Sequence, residues 1–437
     1  MSVPKSEPIL IIGAGAFGLS TVLHLLQAGF KDITVLDRDD EVPSRFSAAN
    51  DINKIVRAEY EDDFYTDLTL KAIDAWQTPL FAPHFHQTGF LHCVSGSAPK
   101  EAYDTLKRFQ DAAERHPRIK PSVAHIKEKK DIDAACWQYK PNPFPGWHGY
   151  LNKLDGYAHS GNALRSIYLV TKAQGVKYIL GSAGAVSEIV YDKSSPKGRK
   201  AKGVKTVNGL FYPARLIIVA TGAAGGKLIP EIGKQLVAKS WSVAHVHLTE
   251  DETSALRGIP VTYARDLGFF FEPDPKTNLL KMCPMGGGII NTDPNTGISY
   301  APGSISESAF LPEDDEKQLR QLLRHALPQF ADRPFVRKSL CWFADTADSD
   351  FIIDYVPNTR SSVVFLSGDS GHGFKMFPIF GEWVKDLLLA SDGKQPVARW
   401  RWKTPSKDDK GDWGGAVSWR LGNSKELVEL KPSQSKL

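Results

Sequence analysis

An apolar run and a glycine-rich turn near the start of the chain constrain its fold more than any other feature. Residues 8–12 read PILII, the pattern of a strand buried on both faces of a parallel sheet. The turn GAGAFG at 13–18 follows at once, a helix is predicted over 19–29, and a strand over 33–36 ends on Asp37. The order and the spacing of these parts are those of a dinucleotide-binding βαβ unit.

Each part of this unit has a physical role toward a dinucleotide. Gly13 permits the tight turn, Gly15 lets the backbone approach a pyrophosphate, and Gly18 lets the helix pack closely on the strand. The helix N-terminus offers unpaired N–H groups to the phosphates. Asp37 can accept hydrogen bonds from a ribose diol and would repel a 2′-phosphate, which disfavours NADP, whereas NAD and FAD both fit.

A second buried strand favours FAD over NAD. Residues 214–223 read ARLIIVATGA, a strand that ends in small residues around Thr221 and Gly222. This arrangement resembles the second signature of the large two-domain FAD-dependent oxidases, which NAD dehydrogenases do not usually need. An NAD-dependent dehydrogenase remains the weaker alternative.

The composition is that of a globular chain with a large core. Of the 437 residues 42% are apolar, and the formal charge of +4 is spread through mixed-sign segments, so no nucleic-acid partner is expected. We expect no signal peptide and no membrane span. The four cysteines lack close pairing, which predicts neither disulfides nor a metal site and indicates a reducing compartment.

Two stretches of different character interrupt the cofactor-binding pattern. That pattern occupies residues 1–82, 150–235 and 336–404. Residues 83–149 and 236–335 instead alternate short β-type pieces with charged helices. We therefore predict an α/β fold, with a discontinuous Rossmann-like FAD-binding domain and an antiparallel β-rich substrate domain built from two insertions. The seam between the two layers is the expected pocket.

Several further motifs occur together with the glycine turn, in the order found in one known family. They are AANDINKI at 48–55, FFFEP at 269–273, KSLCW at 338–342 followed by ADTAD, GDSGHGFK at 368–375 and WRW at 400–402. By these motifs the chain resembles the flavin amine oxidases of the monomeric sarcosine oxidase type. Within them it is most similar to the fungal fructosyl amino acid oxidases, or amadoriases, and to the saccharopine and pipecolate oxidases.

The resemblance implies a monomeric enzyme that oxidises the C–N bond of a secondary-amine amino acid to an imine, while O2 is reduced to hydrogen peroxide. It also implies FAD bound covalently through a cysteine thioether, and Cys341 is the matching cysteine. The substrate stays open among fructosyl amino acids, saccharopine, pipecolate, N-methyl amino acids and an N-methylated intermediate of fungal secondary metabolism. A noncatalytic flavoprotein that keeps the fold is the alternative from another class.

The resemblance also assigns roles to five residues. Arg57 and Lys375 match the pair that grips the substrate carboxylate, and Lys54 matches the neighbouring basic residue over the flavin. Lys281 matches the lysine that helps oxygen accept electrons, and Glu272 matches the glutamate that contacts the amino acid part of the substrate. An arginine fork suits two-point carboxylate recognition, and a fixed cation stabilises a developing superoxide.

The residues expected to hold FAD come from the glycine turn, the segment after the second strand, the second buried strand and the GHGF region. They are Gly13, Ala14, Gly15, Ala16, Phe17, Gly18, Asp37, Arg38, Ser44, Ser47, Asn50, Asn53, Lys54, Val186, Thr221, Gly222, Cys341, Asp369, Gly371, Gly373, Phe374 and Lys375.

The chain ends in Ser435-Lys436-Leu437, the standard peroxisomal address. It follows a polar tail, predicted over 405–437, that should leave the address free for an import receptor. The expected location is the peroxisome, because an oxidase that releases hydrogen peroxide belongs in that organelle.

Overall fold

The structure is a computed structural model that describes residues 2–192, 198–403 and 422–430. Its α-helices in these residues span Ala16–Gln27, Asp63–Trp76, Lys100–Arg115, Lys129–Ala135, Ser160–Ala173, Gly225–Leu228, Glu250–Ala255, Glu313–Ala326, Phe380–Leu389 and Leu427–Leu430.

A six-stranded sheet carries the glycine turn. Its strands, in spatial order, are Ile352–Tyr355, Val363–Ser367, Leu216–Val219, Ile9–Ile12, Ile33–Leu36 and Lys177–Ile179. Neighbours pair in parallel except at the edge, where Ile352–Tyr355 runs antiparallel to Val363–Ser367. Ile9–Ile12 is wholly buried at the centre of this sheet, as its apolar sequence predicts.

The two faces of the six-stranded sheet are covered by different layers. Ile9 and Ile11 join the core formed with helices Ala16–Gln27, Ser160–Ala173 and Phe380–Leu389. Side chains alternate along a strand, so Leu10 and Ile12 face the other way. A three-stranded sheet, Val186–Tyr191, Ala201–Thr206 and Phe211–Pro213, contributes to this second core.

A ten-stranded sheet, here called the large sheet, forms the substrate side. Its strands are Lys425–Glu426, Ile289–Ile290, Val237–His247, Leu279–Cys283, Gly268–Phe270, Val261–Ala264, Phe90–Val94, His148–Asn152 and Val123–Ile126, with Phe335–Asp345 paired to Val237–His247. The parallel pair of Phe90–Val94 with Val261–Ala264 joins the two predicted insertions. The sheet is therefore mixed, although most of its pairs are antiparallel, as predicted.

A small sheet of Lys54–Val56, Gly156–Ala158 and Phe85–His86 carries the segment that contains Lys54. Lys54–Val56 pairs antiparallel with Gly156–Ala158, and Arg57 follows directly. Lys54 and Arg57, two of the predicted site residues, therefore lie in one short strand and directly after it.

Two segments differ from the predicted domain limits. Phe335–Asp345, assigned from residue 336 onward to the FAD-binding domain, pairs along most of its length with Val237–His247 of the large sheet. Residues 422–430, expected in a free tail, pack on the same sheet: Lys425–Glu426 pairs with Ile289–Ile290, and Leu427 is buried. So short an apolar stretch within polar sequence gives no periodic signal. Ser435-Lys436-Leu437 lies outside the described residues.

Among the described residues, no helix combines the length and apolar character that a membrane crossing requires. In the same part of the chain, His, Cys, Asp and Glu side chains form no group that could hold a metal ion.

Candidate active site

A cavity of about 1210 Å³ is lined by residues of the six-stranded, large and small sheets. Its wall includes Gly13 and Asp37 from the glycine-turn unit. It also includes Lys54, Lys281 and Cys341 from the small and large sheets. Segments far apart in sequence therefore share one internal space at the predicted seam.

The glycine turn has the geometry that a close-lying pyrophosphate needs. Gly13 has a φ of +107°, and a Cβ there would lie 2.5 Å from the Ala220 carbonyl oxygen. A Cβ on Gly18 would lie 1.9 Å from the Gly13 carbonyl oxygen, so a larger residue would push the helix off the turn. Gly15 and Ala16 line the cavity at the helix N-terminus.

Two polar groups in the cavity wall fit a bound dinucleotide. The Asp37 carboxylate accepts hydrogen bonds from the Ala14 N–H at 2.8 Å and the Asp39 N–H at 3.0 Å, and burial raises its pKa despite these bonds. The Thr221 hydroxyl is buried without a hydrogen-bond partner among the described residues. A buried orphan hydroxyl is expected where a ligand completes the bonding. Asp37, Thr221 and the turn would therefore hold FAD.

The structure brings the predicted cofactor residues to the wall of this cavity, with three exceptions. Ala14 and Gly18 are buried beneath the turn rather than exposed to the cavity. Asn53 is also buried, and its backbone carbonyl accepts a hydrogen bond from Lys281. These three residues lie behind the residues that line the cavity.

Two lysines share one carboxylate beside the half-buried Cys341. Lys281 Nζ donates to the Asp51 carboxylate and, at 2.6 Å, to the Asn53 carbonyl. Lys54 Nζ lies 3.0 Å from the same Asp51 oxygen and 3.6 Å from the Cys341 sulfur. Strand Leu279–Cys283, strand Phe335–Asp345 and the segment before the small sheet thus meet at one cluster of charges.

The charges of this cluster stabilise one another. Burial alone would raise the pKa of the Asp51 carboxyl, but Lys281 and Lys54 hold it well below its ordinary value. Burial also opposes the charge of Lys54, but the Cys341 sulfur and Asp51 raise its pKa above the ordinary value. The cavity therefore presents fixed cations shielded from bulk water, which can stabilise a developing anion.

Arg57 and Lys375 meet at the side chain of Tyr60. The guanidinium carbon of Arg57 lies 4.9 Å from the centre of the Tyr60 ring and 4.4 Å from that of Phe109. Lys375 Nζ donates to the Tyr60 hydroxyl at 2.9 Å and to the His372 carbonyl at 2.7 Å. Both cations line the cavity, so the predicted carboxylate pair does come together.

Lys375 is suited to an anionic ligand. Burial, and then the neighbouring charge of Arg57, lower its pKa well below the ordinary value of a lysine. A bound carboxylate would offset both effects, because it places an opposite charge beside the ammonium group. Together with the arginine fork, this makes the Arg57–Lys375 pair a suitable carboxylate clamp.

Two buried carboxyl groups lie behind this clamp. Glu59 accepts a hydrogen bond from the Tyr150 hydroxyl at 2.7 Å, and the Asn152 amide donates to Glu59 at 3.0 Å and to Asp155 at 2.9 Å. Burial, and then the charge of Glu59, raise the pKa of Asp155 well above its ordinary value. Asp155 therefore holds its proton to a higher pH than an ordinary aspartic acid does.

Asp155→Asn is expected to gain stability relative to the parent as the pH rises from about 5 to about 8. The parent takes up a proton on Asp155 when it folds. The stability gained from this proton is complete below the unfolded pKa of about 4 and is lost as pH rises. An amide needs no proton, so the difference should grow by up to about 1.4 kcal/mol per pH unit. Thermal melts at both pH values measure it, and an equal difference at the two would contradict the protonated carboxyl.

Glu272 is not among the residues that line the cavity, and its contact with substrate stays a prediction. Its carboxylate accepts hydrogen bonds from the Tyr157 hydroxyl and the Gly258 N–H, both at 2.9 Å. Phe269 and Phe271 line the cavity instead. Because side chains alternate along extended backbone, Glu272 faces away from the side that Phe271 presents.

Sequence reasoning missed Asp51, Tyr60, Glu59 and Asp155. Asp51 stands three positions before Lys54, and that short spacing of opposite charges is a signal that could have identified it. The other three had no local signal, because their partners come from distant parts of the chain.

The fold and the cavity define an oxidoreductase that depends on a dinucleotide. Its lysines and its arginine place positive charge in the part of the cavity where the reaction would occur. Residues 8–387 match the FAD dependent oxidoreductase (DAO) family, and the chain belongs to that family. It is 31% identical to an L-saccharopine oxidase of Schizosaccharomyces pombe over 98% of this chain and 99% of the relative. It is 25% identical to a monomeric sarcosine oxidase of Bacillus sp. over 89% of this chain and 94% of that protein.

Solved structures agree over nearly the whole chain. Fructosamine oxidase (Amadoriase II) from Aspergillus fumigatus has a TM-score of 0.85 and 29% identity, covering 99% of this chain and 98% of its own. Fructosyl peptide oxidase from E. terrenum has a TM-score of 0.87 and 27% identity, with the same coverage. The predicted family and fold class are confirmed. The chain is an FAD-dependent oxidoreductase whose relatives are amine-oxidising flavoenzymes, which sets aside the NAD-dependent dehydrogenase.

Proposed function

We propose that this protein oxidises the C–N bond of a secondary-amine amino acid, forming an imine that hydrolyses, and reduces O2 to hydrogen peroxide. The observation that carries the proposal is that the Arg57–Lys375 clamp and Lys281 line the same cavity as the glycine turn. The likeness to L-saccharopine oxidase and monomeric sarcosine oxidase supports it.

The bound FAD would supply the acceptor for the hydride equivalent and the electrons for oxygen. The residues of this chain would do the rest. Arg57 and Lys375 hold the substrate carboxylate, which orients the reacting carbon without a bond to it. Lys281, held in place by Asp51 and the Asn53 carbonyl, supplies positive charge where reduced oxygen forms.

A peroxide-coupled assay of the purified protein tests this function. Its amine panel would contain saccharopine, pipecolate, fructosyl amino acids, sarcosine and other N-methyl amino acids. Saccharopine is the first candidate, because an L-saccharopine oxidase matches almost the entire chain. We expect peroxide with at least one amine. A flavin that stays oxidised with every amine in the absence of oxygen would instead indicate a noncatalytic flavoprotein.

We also propose that Cys341 carries the flavin as a thioether. Cys341 is half-buried in the cavity wall, and the Lys54 ammonium lies 3.6 Å from its sulfur. A partly exposed position beside a cation is the setting in which reactive cysteines are found. Cys283 also lines the cavity, but burial raises the pKa of its thiol to about 11.

Cys341→Ala is therefore expected to lose its yellow colour on acid precipitation, whereas the parent and Cys283→Ala keep it. The reason is that only a covalent bond survives denaturation of the protein. Absorbance of the redissolved pellet, and fluorescence of the denatured band under ultraviolet light, measure the bound flavin. A Cys341→Ala pellet as yellow as that of the parent would rule out this attachment.

We further propose that the protein is a peroxisomal monomer, imported through Ser435-Lys436-Leu437. A fluorescent fusion to the N-terminus should colocalise with peroxisomes, and deletion of Leu437 should disperse it. Size-exclusion chromatography with light scattering tests the monomer.

A further inference from the structure

The strand that carries Cys341 has an irregular point at Arg337. Its partner positions pass from Ser339 to Val336 while the opposite strand advances only from Val243 to His245. One extra residue is therefore accommodated in a β-bulge. Arg337 lies in this bulge with a φ of +47°.

Such a conformation is unfavourable for arginine and would suit glycine better. Non-glycine residues held in this region concentrate at functional sites, and bulges re-aim side chains there. The Arg337 carbonyl lies 3.2 Å from His245 Nδ1, and His245 is the strand partner of Lys281. The bulge is thus tied, through His245, to the strand that pairs with the one carrying Lys281.

Arg337 is exposed and lines the cavity, which places it at the opening. Its cationic neighbours each have a carboxylate partner: Lys281 and Lys54 share Asp51, and Lys338 lies 3.1 Å from Glu316. Across residues 2–192, 198–403 and 422–430 the structure shows no ion pair or hydrogen bond for the Arg337 guanidinium. Its fork is available to a carboxylate that enters the cavity.

Arg337 stands four residues before Cys341. At about 3.3 Å per residue of strand, their backbones lie roughly 13 Å apart. An amine with one carboxylate held by the Arg57–Lys375 clamp leaves the Arg337 guanidinium without a carboxylate partner. An extended amine with carboxylates near both ends offers one to each.

On the basis of the proposed function, we propose that Arg337 binds a second substrate carboxylate, remote from the reacting amine. It thereby selects secondary amines that carry carboxylates at both ends. The clamp holds the end next to the reacting carbon, and the bulge aims Arg337 at the other end.

The test compares two amines that differ only in the remote carboxylate, N-(5-carboxypentyl)-L-glutamate and N-pentyl-L-glutamate. We expect the parent to favour the first in kcat/KM by about tenfold or more, the range of a charged hydrogen-bonded pair. Arg337→Gln should abolish this preference by raising KM for the carboxypentyl amine, with little change in kcat. Arg337→Lys should restore part of it. The adjacent Lys338→Gln, which removes a cation already paired with Glu316, should keep the preference.

Arg337→Gly separates recognition from folding. It should lose the preference and yet melt no lower than the parent, because glycine adopts a φ of +47° without strain. This inference alone would be overturned if Arg337→Gln lost kcat/KM equally for both amines. It would also be overturned if the parent oxidised both amines without preference. A parent that oxidises neither, and none of the amine panel, would overturn the proposed function.

Discussion

Lys281→Met is expected to slow the reaction of the reduced enzyme with oxygen by about two to three orders of magnitude, the typical effect of removing one preorganised charge-stabilising group. The first electron transferred to oxygen makes an anion, and Lys281 is a cation 1% exposed at the cavity wall. Reduction by the amine in the absence of oxygen should be nearly unchanged. Stopped-flow measurement of flavin absorbance resolves the two half-reactions separately.

Lys227→Met provides the matched control for that variant. Lys227 also lines the cavity, but its Nζ donates to the Ala301 carbonyl rather than to the Asp51 carboxylate. This control should react with oxygen as the parent does. Asp51→Asn should show a smaller defect than Lys281→Met, because it loosens the lysine without removing it. Unchanged reoxidation in Lys281→Met would refute the assigned role.

Arg57→Gln is expected to reduce kcat/KM for a carboxylate-bearing amine by a factor of about 30 to 3000, chiefly through KM. Truncating one member of a buried charge pair costs about 2–5 kcal/mol, and each 1.4 kcal/mol is about a factor of ten. The guanidinium is held between the Tyr60 and Phe109 rings, so the variant should leave the surrounding side chains in place. Steady-state kinetics with the best amine of the panel measure the effect.

The methyl ester of the same amine is the matched ligand for this experiment, because it keeps the reacting carbon and lacks the negative charge. The parent should discriminate strongly against the ester, and Arg57→Gln should discriminate much less. Lys375→Met should behave in the same direction with a smaller effect, since a lysine contributes a point charge rather than a fork. Equal losses for acid and ester would show that Arg57 acts on folding rather than on the carboxylate.

Local patterns predicted the elements of the glycine-turn unit. The helix predicted over 19–29 spans Ala16–Gln27, and Ile9–Ile12 is the buried central strand that its apolar run indicated. The position of Glu272 behind the cavity wall is decided at the next level of structure. A motif shows which residues are neighbours along the chain, whereas the orientation of a strand decides which of them face the cavity.

The amino-acid sequence by itself determined the dinucleotide-binding unit, because glycine sterics and strand and helix periodicity act over a few residues. Only the tertiary structure decided which charges meet. Lys281 reaches Asp51 across 230 positions and Lys375 reaches Tyr60 across 315. Such contacts depend on strand register and sheet order, and in a buried cavity a charge is stable only where folding has brought its partner within reach.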